Sequence, residues 1–173
     1  MGKRETSVTD KTPTEPADLV DVFYADLVRP LGNLVILYAQ AEAALLDLWV
    51  ALTGCTEEEA QKFLGGPRLK VQEQIVARAK AASIADHVQE LTVEIENYYN
   101  DRKQRDRLIH DEWYVSLLTQ LGKPRTRGLP RKRPTEVVWG DPEPIDVWKL
   151  ARRFRDYRRL FTSLSHFASR RNG

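Results

Sequence analysis

Arg105 and His110 are the residues of this chain whose types and spacing best suit work on a phosphate ester. They stand in the run Arg102, Lys103, Gln104, Arg105, Asp106, Arg107, Leu108, Ile109, His110, Asp111, Glu112, Trp113, which closes a long amphipathic stretch with cations, a carboxylate and a histidine. On a helix the step from Arg105 to His110 is a rise of about 7.5 Å and a turn of about 140°, so the pair flanks one side of the helix end. Asp106 stands four residues before His110, and Arg102 four before Asp106, so these three share one stripe. A carboxylate one turn from a histidine can orient the ring and favour its protonated form. A guanidinium nearby presents a planar fork of donors that matches a phosphate. The grouping points to phosphodiester chemistry or phosphate binding.

The elements that would carry this run are helices. The chain has 173 residues, enough for one domain with a sizeable core, and its 42% hydrophobic and 30% charged residues are ordinary for a globular domain. Residues 1–16 are rich in Thr, Lys, Glu and Pro, lack apolar periodicity and lack the apolar core of a signal peptide. They are expected to be a disordered tail, with residues 17–173 forming a single domain. No apolar run is expected to approach the roughly 20 residues that a membrane span needs. The single Cys55 rules out an internal disulfide and a cysteine-cluster metal site, and a reducing cytoplasm is the plain expectation.

A first helix is expected from Ala17 through Leu27, with Pro30 ending or kinking it. From Leu31 the positions Leu34, Val35, Tyr38, Ala41, Leu45, Leu48, Trp49 and Leu52 follow helical spacing, and Gly54 supplies the stop. Glu42 falls on that apolar face; it either meets an arginine of the motif run or reaches water at the edge of the stripe. Thr56 and Glu59 make a capping box for a short helix ending at Gly65 and Gly66, and Pro67 introduces another that carries Leu69, Val71, Ile75, Val76 and Ala79. After a break over residues 83–86 comes the long motif helix, with Val88, Leu91, Ile95, Tyr98, Arg102, Arg105 and Ile109 on one stripe. Its two arginines continue an apolar face, so they either emerge at its wet end or meet a second subunit. Residues 113–119 and 136–139 are β-prone and suggest a hairpin, with continued helix through Leu118 as the competing reading. Asp146 is placed to cap a last helix that carries Val147, Leu150, Phe154, Tyr157, Leu160, Phe161, Leu164 and Phe167. The fold class that follows is all-α, an up-and-down bundle of four to five helices with a small β-hairpin or long basic loop inserted before the last helix.

Charge is divided unevenly along the chain. Residues 1–101 carry nine Lys and Arg against 17 Asp and Glu, whereas residues 102–173 carry 18 against eight. The basic half begins at the motif run, which points to an anionic partner, nucleic acid first. Lys123, Arg125, Arg127, Arg131, Lys132 and Arg133 lie in an acid-free stretch suited to phosphate contact, or to a solvated loop without ligand. The last helix adds Lys149, Arg152, Arg153, Arg155, Arg158 and Arg159.

The run from Arg105 to His110, near the end of a long helix and followed by Trp113, resembles the R-x4-6-H signature of the HEPN superfamily. Asp106 matches the polar residue that many members place after the arginine; members often have Gly after the histidine, where this chain has Asp111. The core helix with its embedded acid Glu42 and the final helix after an insertion fit the same pattern, so the resemblance covers roughly residues 20–170. It implies a helical bundle that dimerises through the motif helix and acts as a metal-independent endoribonuclease, as in toxin–antitoxin and antiviral defence systems. Arg105 and His110 would be the catalytic pair with Asp106 beside them, Arg102 and Arg107 would join the basic stretch in holding RNA, and Glu42 would be a supporting acid. Expected partners are RNA, a second copy of the chain and a cognate antitoxin or regulator, with no membrane, metal or cofactor. The alternative within the same family is a catalytically inactive module that binds RNA or protein. A helical scaffold protein needs only the charge asymmetry and the amphipathic helices. His87 and His166 are single histidines with structural or surface roles, Tyr98 and Tyr99 suit core and interface, and Trp113 and Trp139 could pair across the hairpin or stack on bases.

Overall fold

The computed structural model describes residues 16–82, 84–110, 112–115, 124–128, 138–140 and 143–170. Its side-chain detail covers residues 25–82, 84–110 and 143–170. The expected tail at 1–16 lies, apart from Pro16, outside the described residues.

Five α-helices form the bundle among the described residues: α1 (Pro16–Thr53), α2 (Glu57–Leu64), α3 (Arg68–Ala81), α4 (Val88–His110) and α5 (Pro144–Ser169). The all-α architecture expected from the periodicity is therefore the one adopted. The principal pairing joins α1 to α5, the first helix to the last. Side-chain pairs give the directions. Arg105 lies over Tyr38 while Arg102 reaches Glu42, and His87 stacks on Phe167 while Asp101 meets Tyr157. Thus α4 runs antiparallel to both α1 and α5.

Each helix is built from local signals. The N-cap Thr56 accepts from the Glu59 amide while the Glu59 carboxylate accepts from the Thr56 amide, the reciprocal box that opens α2. Gly54, at φ +70°, takes the left-handed conformation that ends α1, and its amide donates to the Val50 carbonyl at 2.7 Å. A short 3-10 turn, Ala85–His87, leads into α4.

Three expectations are corrected. Of the two readings of Pro30, the one in which it ends the helix fails, because α1 is continuous from Pro16 to Thr53 with Pro30 inside it. A proline in a helix interior costs about 3 kcal/mol. Leu27, Pro30 and Leu34 are all buried, so packing on both sides of the proline offsets that cost. Asp146 does not cap α5: the N-cap is Glu143, and Asp146 lies inside the first turn, accepting from Lys149 at 3.2 Å. Finally, Ala25–Thr53 is long and apolar enough to cross a membrane by length and composition, with a mean hydropathy of 1.6. Its inner positions, from Leu27 through Leu34, Ala41, Leu45 and Leu48, belong to the bundle core, while Val28, Val35 and Ile36 stay exposed on its outer face.

Between α4 and α5 the chain makes a three-stranded antiparallel sheet in the order β1 (Glu112–Val115), β2 (Pro124–Gly128), β3 (Val138–Gly140). The first strand excludes continued helix at 112–115; residues 116–119 lie outside the described residues. The hairpin expected between the two β-prone runs is interrupted by β2, whose Thr126 pairs with Trp113 and Arg127 with Trp139. Pro124–Gly128 lacks the apolar alternation of a half-buried strand, so it is invisible to a hydrophobicity pattern.

The core centres on Tyr98. Its ring meets Tyr99, Phe154, Tyr157 and Phe161 edge-on at centroid distances of 5.3–5.9 Å, and Tyr38 in parallel at 6.5 Å. Aromatic pairs at such geometries add to the area they bury. Phe154→Ala is expected to destabilise the protein by about 3–5 kcal/mol, because Phe154 is fully buried between Tyr38, Tyr98 and Tyr157. Phe167, 48% exposed, should cost no more than about 1 kcal/mol on truncation. Urea denaturation of both variants checks this; equal losses would contradict the placement of the core.

Candidate functional site

The stripe Leu91, Ile95 and Tyr98 of α4 is buried, and one turn later it becomes cationic at Arg102 and Arg105. The change matches what α1 offers at that level, an aromatic ring and a carboxylate. Arg105 lays its guanidinium over the Tyr38 ring, 4.3 Å from centroid to Cζ, and its side chain is only 16% exposed. A cation held on an aromatic face away from water gains about 1–2 kcal/mol. The Arg105 Nη1 donates to Asp106 Oδ1 at 2.9 Å, while its buried Nε–H finds no partner among the described residues. The Tyr38 hydroxyl donates to Glu42 Oε1 at 2.8 Å, and Arg102 Nη1 lies 4.0 Å from that same oxygen.

Tyr38 and Glu42 of α1 and Arg102, Arg105 and Asp106 of α4 therefore form one connected cluster. Both readings of Glu42 are realised, since it is half exposed and also faces an arginine of the motif run. The two arginines turn inward onto α1 instead of emerging freely. Burial pushes the Tyr38 phenol up to about 12; the hydrogen bond to Glu42 and that carboxylate's charge push the same way, and Arg102 and Arg105 oppose them.

His110 is exposed at the last position of α4. The expected Asp106–His110 contact is not formed among the described residues, because Asp106 is engaged by the neighbouring Arg105. A charge-assisted bond to a guanidinium beside it in the chain outcompetes a reach to an exposed ring. Arg107 is exposed on the same helix end. Arg125 and Arg127 lie two apart in β2, a strand that packs against α4, so both positions share one strand face near the motif helix. Lys123, Arg131, Lys132 and Arg133 lie outside the described residues.

Asp101 is a site residue that the sequence reading missed. It is buried, accepts from the Tyr157 hydroxyl at 2.7 Å and faces Arg153 Nε at 2.8 Å. Burial raises its pKa; the Tyr157 bond and the Arg153 charge draw it partly back. It floors a groove of about 530 Å³ between α4 and α5, whose walls include Glu90, Glu94, Asn97 and Asp156. The available signal was its place three residues after Tyr98, at the flank of the buried stripe. Among the described residues no group of three His, Cys, Asp or Glu side chains is arranged to hold a metal ion. Tyr98 and Tyr99 are core residues, and His87 stacks on Phe167 at 5.8 Å.

Comparison of the chain with protein-family models, with curated proteins and with solved structures returned no match.

The raised Tyr38 pKa carries a pH signature. The unfolded phenol titrates near 10 and the folded one near 12, so its contribution is intact below pH 10 and is lost as pH rises through 12. Tyr38→Phe should be less stable than the wild type by about 1 kcal/mol at pH 7, through loss of the bond to Glu42. By pH 11 the wild type loses about 1.4 kcal/mol through this phenol, and the gap should close or invert. Urea titrations at the two pH values measure it, and a gap that stays constant would contradict the assignment.

Proposed function

We propose that the chain is a HEPN-like, metal-independent endoribonuclease that acts as a homodimer through its motif helix, in the manner of a toxin or defence effector. In this reading Arg105 binds the scissile phosphate and His110 acts as general acid or base. The ribose 2′-hydroxyl loses its proton and attacks the adjacent phosphorus. The bond from phosphorus to the 5′-oxygen breaks, and the leaving oxygen gains a proton. The products are a 2′,3′-cyclic phosphate and a 5′-hydroxyl.

The observation that carries this reading is the state of Arg105: a half-buried guanidinium immobilised on Tyr38, five residues before an exposed histidine on the same helix end. Rigid placement of a cation where charge develops is the main resource of a metal-free phosphoryl-transfer site. Arg125 and Arg127, on a strand against the same helix, are placed to add to the field. A second copy would supply a second Arg–His pair across a two-fold axis. The outer face of α1 leaves Val28, Val35 and Ile36 exposed, apolar surface on the helix that carries Tyr38 and Glu42, which supports such an assembly.

One observation favours the catalytically inactive alternative, a module that binds RNA or protein. Asp106 already occupies part of the Arg105 fork that a phosphate would use.

Purified protein incubated with RNA and a chelator tests the proposal. The wild type should leave cyclic phosphate ends, and His110→Ala should slow cleavage by about 100-fold or more. Arg105→Ala should do the same, with Arg105→Lys retaining the fold check by circular dichroism. RNA left equally intact by wild type and variants would rule out the nuclease and leave the binding module.

A further inference from the structure

The six cations of α5 divide into two sets once their partners are known. Arg153 Nε lies 2.8 Å from buried Asp101, Arg158 Nη1 donates to Gln40 Oε1 of α1 at 2.6 Å, and Lys149 donates to Asp146 at 3.2 Å. Lys149 thus stays within its own helix, and among the described residues Arg152, Arg155 and Arg159 likewise make no tie to another helix; these three are exposed. With Arg170 they follow one another at steps of three, four and eleven residues, which keeps them on one line of the helix. That line lies across the helix from buried Phe154 and Phe161, and runs about 27 Å from Arg152 to Arg170. Exposed Thr162, Ser163 and His166 fill it between Arg159 and Arg170, and partly buried Trp148 stands one turn before Arg152.

We propose that this line, Arg152, Arg155, Arg159 and Arg170, is a binding face for the phosphate backbone of RNA, separate from the Arg105 cluster. It rests on the proposed function only for the identity of the polyanion. Every cation on the line is an arginine, whose fork engages phosphate oxygens in pairs. The carboxylate beside them, Asp156, is exposed and lies 3.5 Å from Arg155 and 3.8 Å from Arg159. Exposed pairs at such distances are worth well under about 1 kcal/mol, so both guanidinium groups can exchange Asp156 for phosphate. The one large apolar side chain exposed beside the line between Arg152 and Arg170 among the described residues is Phe167, at 48%, and its ring is stacked on His87 instead of standing free to enter a lipid surface. Its lower end is tied to the motif helix, because Arg153 reaches both Asp101 and Gln104 of α4. A strand lying on α5 would thus begin beside the Arg105 and His110 end of α4 and extend away from it.

The test separates binding from cleavage by working in the His110→Ala background. Anisotropy of a fluorescent, unstructured oligouridylate of about 20 nucleotides is followed across salt, with Arg152→Gln/Arg155→Gln/Arg159→Gln compared to the parent. Loss of three contacts should lower the slope of log affinity against log salt by about 2 units. The parent should then lose about 20-fold more affinity than the variant between about 50 and 200 mM salt. The control Lys62→Gln/Lys70→Gln/Arg78→Gln removes equal charge from exposed positions on α2 and α3 and should leave the slope unchanged. Absence of RNA binding by the parent overturns the proposal. So does an equal change in both triple variants, which would reduce the effect to net charge. Circular dichroism of each variant establishes that it is folded. Failure of the cleavage assay with this slope difference intact would remove the nuclease and keep the face.

Discussion

The burial of Tyr98 is the contact on which the rest of the arrangement depends. Its ring touches aromatic side chains of α1 and α5 as well as its neighbour on α4, so one residue brings three helices to a common point. Those aromatics make the approach of α4 to the α1–α5 pair one of large rings, not of close backbones. A smaller residue at position 98 would leave four edge-on partners without a surface to pack on.

From that point α4 presents two chemistries on its two flanks. Three residues after Tyr98, Asp101 turns toward α5 and is buried with Tyr157 and Arg153; four and seven residues after it, Arg102 and Arg105 turn toward α1, Glu42 and Tyr38. An acid and two cations within five positions would repel or pair among themselves on an isolated helix. Here each is drawn to a different neighbour, and the helix is oriented about its own axis as a result. The polar layer thereby adds rotational definition to a core that aromatic packing alone would specify loosely.

Much of this was legible in the order of residues, and the exceptions have physical reasons. Periodicity and capping signals located the helices, the Thr56 and Glu59 box opened α2 as read, and the two readings left open for Glu42, an arginine of the motif run or water, are both met. The ending read at Pro30 failed because a local rule competes with packing spread over a 38-residue helix. Strand β2 was missed because its charged residues owe their conformation to hydrogen bonds with β1 and β3, which no periodicity encodes. The role of Asp106 was misassigned because spacing alone cannot rank an adjacent guanidinium against a histidine one turn away. Which α5 cations are tied to another helix was equally hidden, since it depends on Gln40 and Asp101, more than fifty residues away in the chain.

The pairing of α1 with α5 has a consequence for the order in which the molecule can assemble. The core face of α1 is completed by a helix that begins about ninety residues after α1 ends. At about 5–20 residues per second of synthesis, Leu34, Tyr38, Leu45 and Leu48 wait roughly 5–20 s for their main partner to leave the ribosome. Through that interval the longest and most apolar helix of the chain can lean only on α2, α3 and α4, whose contacts with it are few. The core face of that helix is therefore completed only when the last helix arrives.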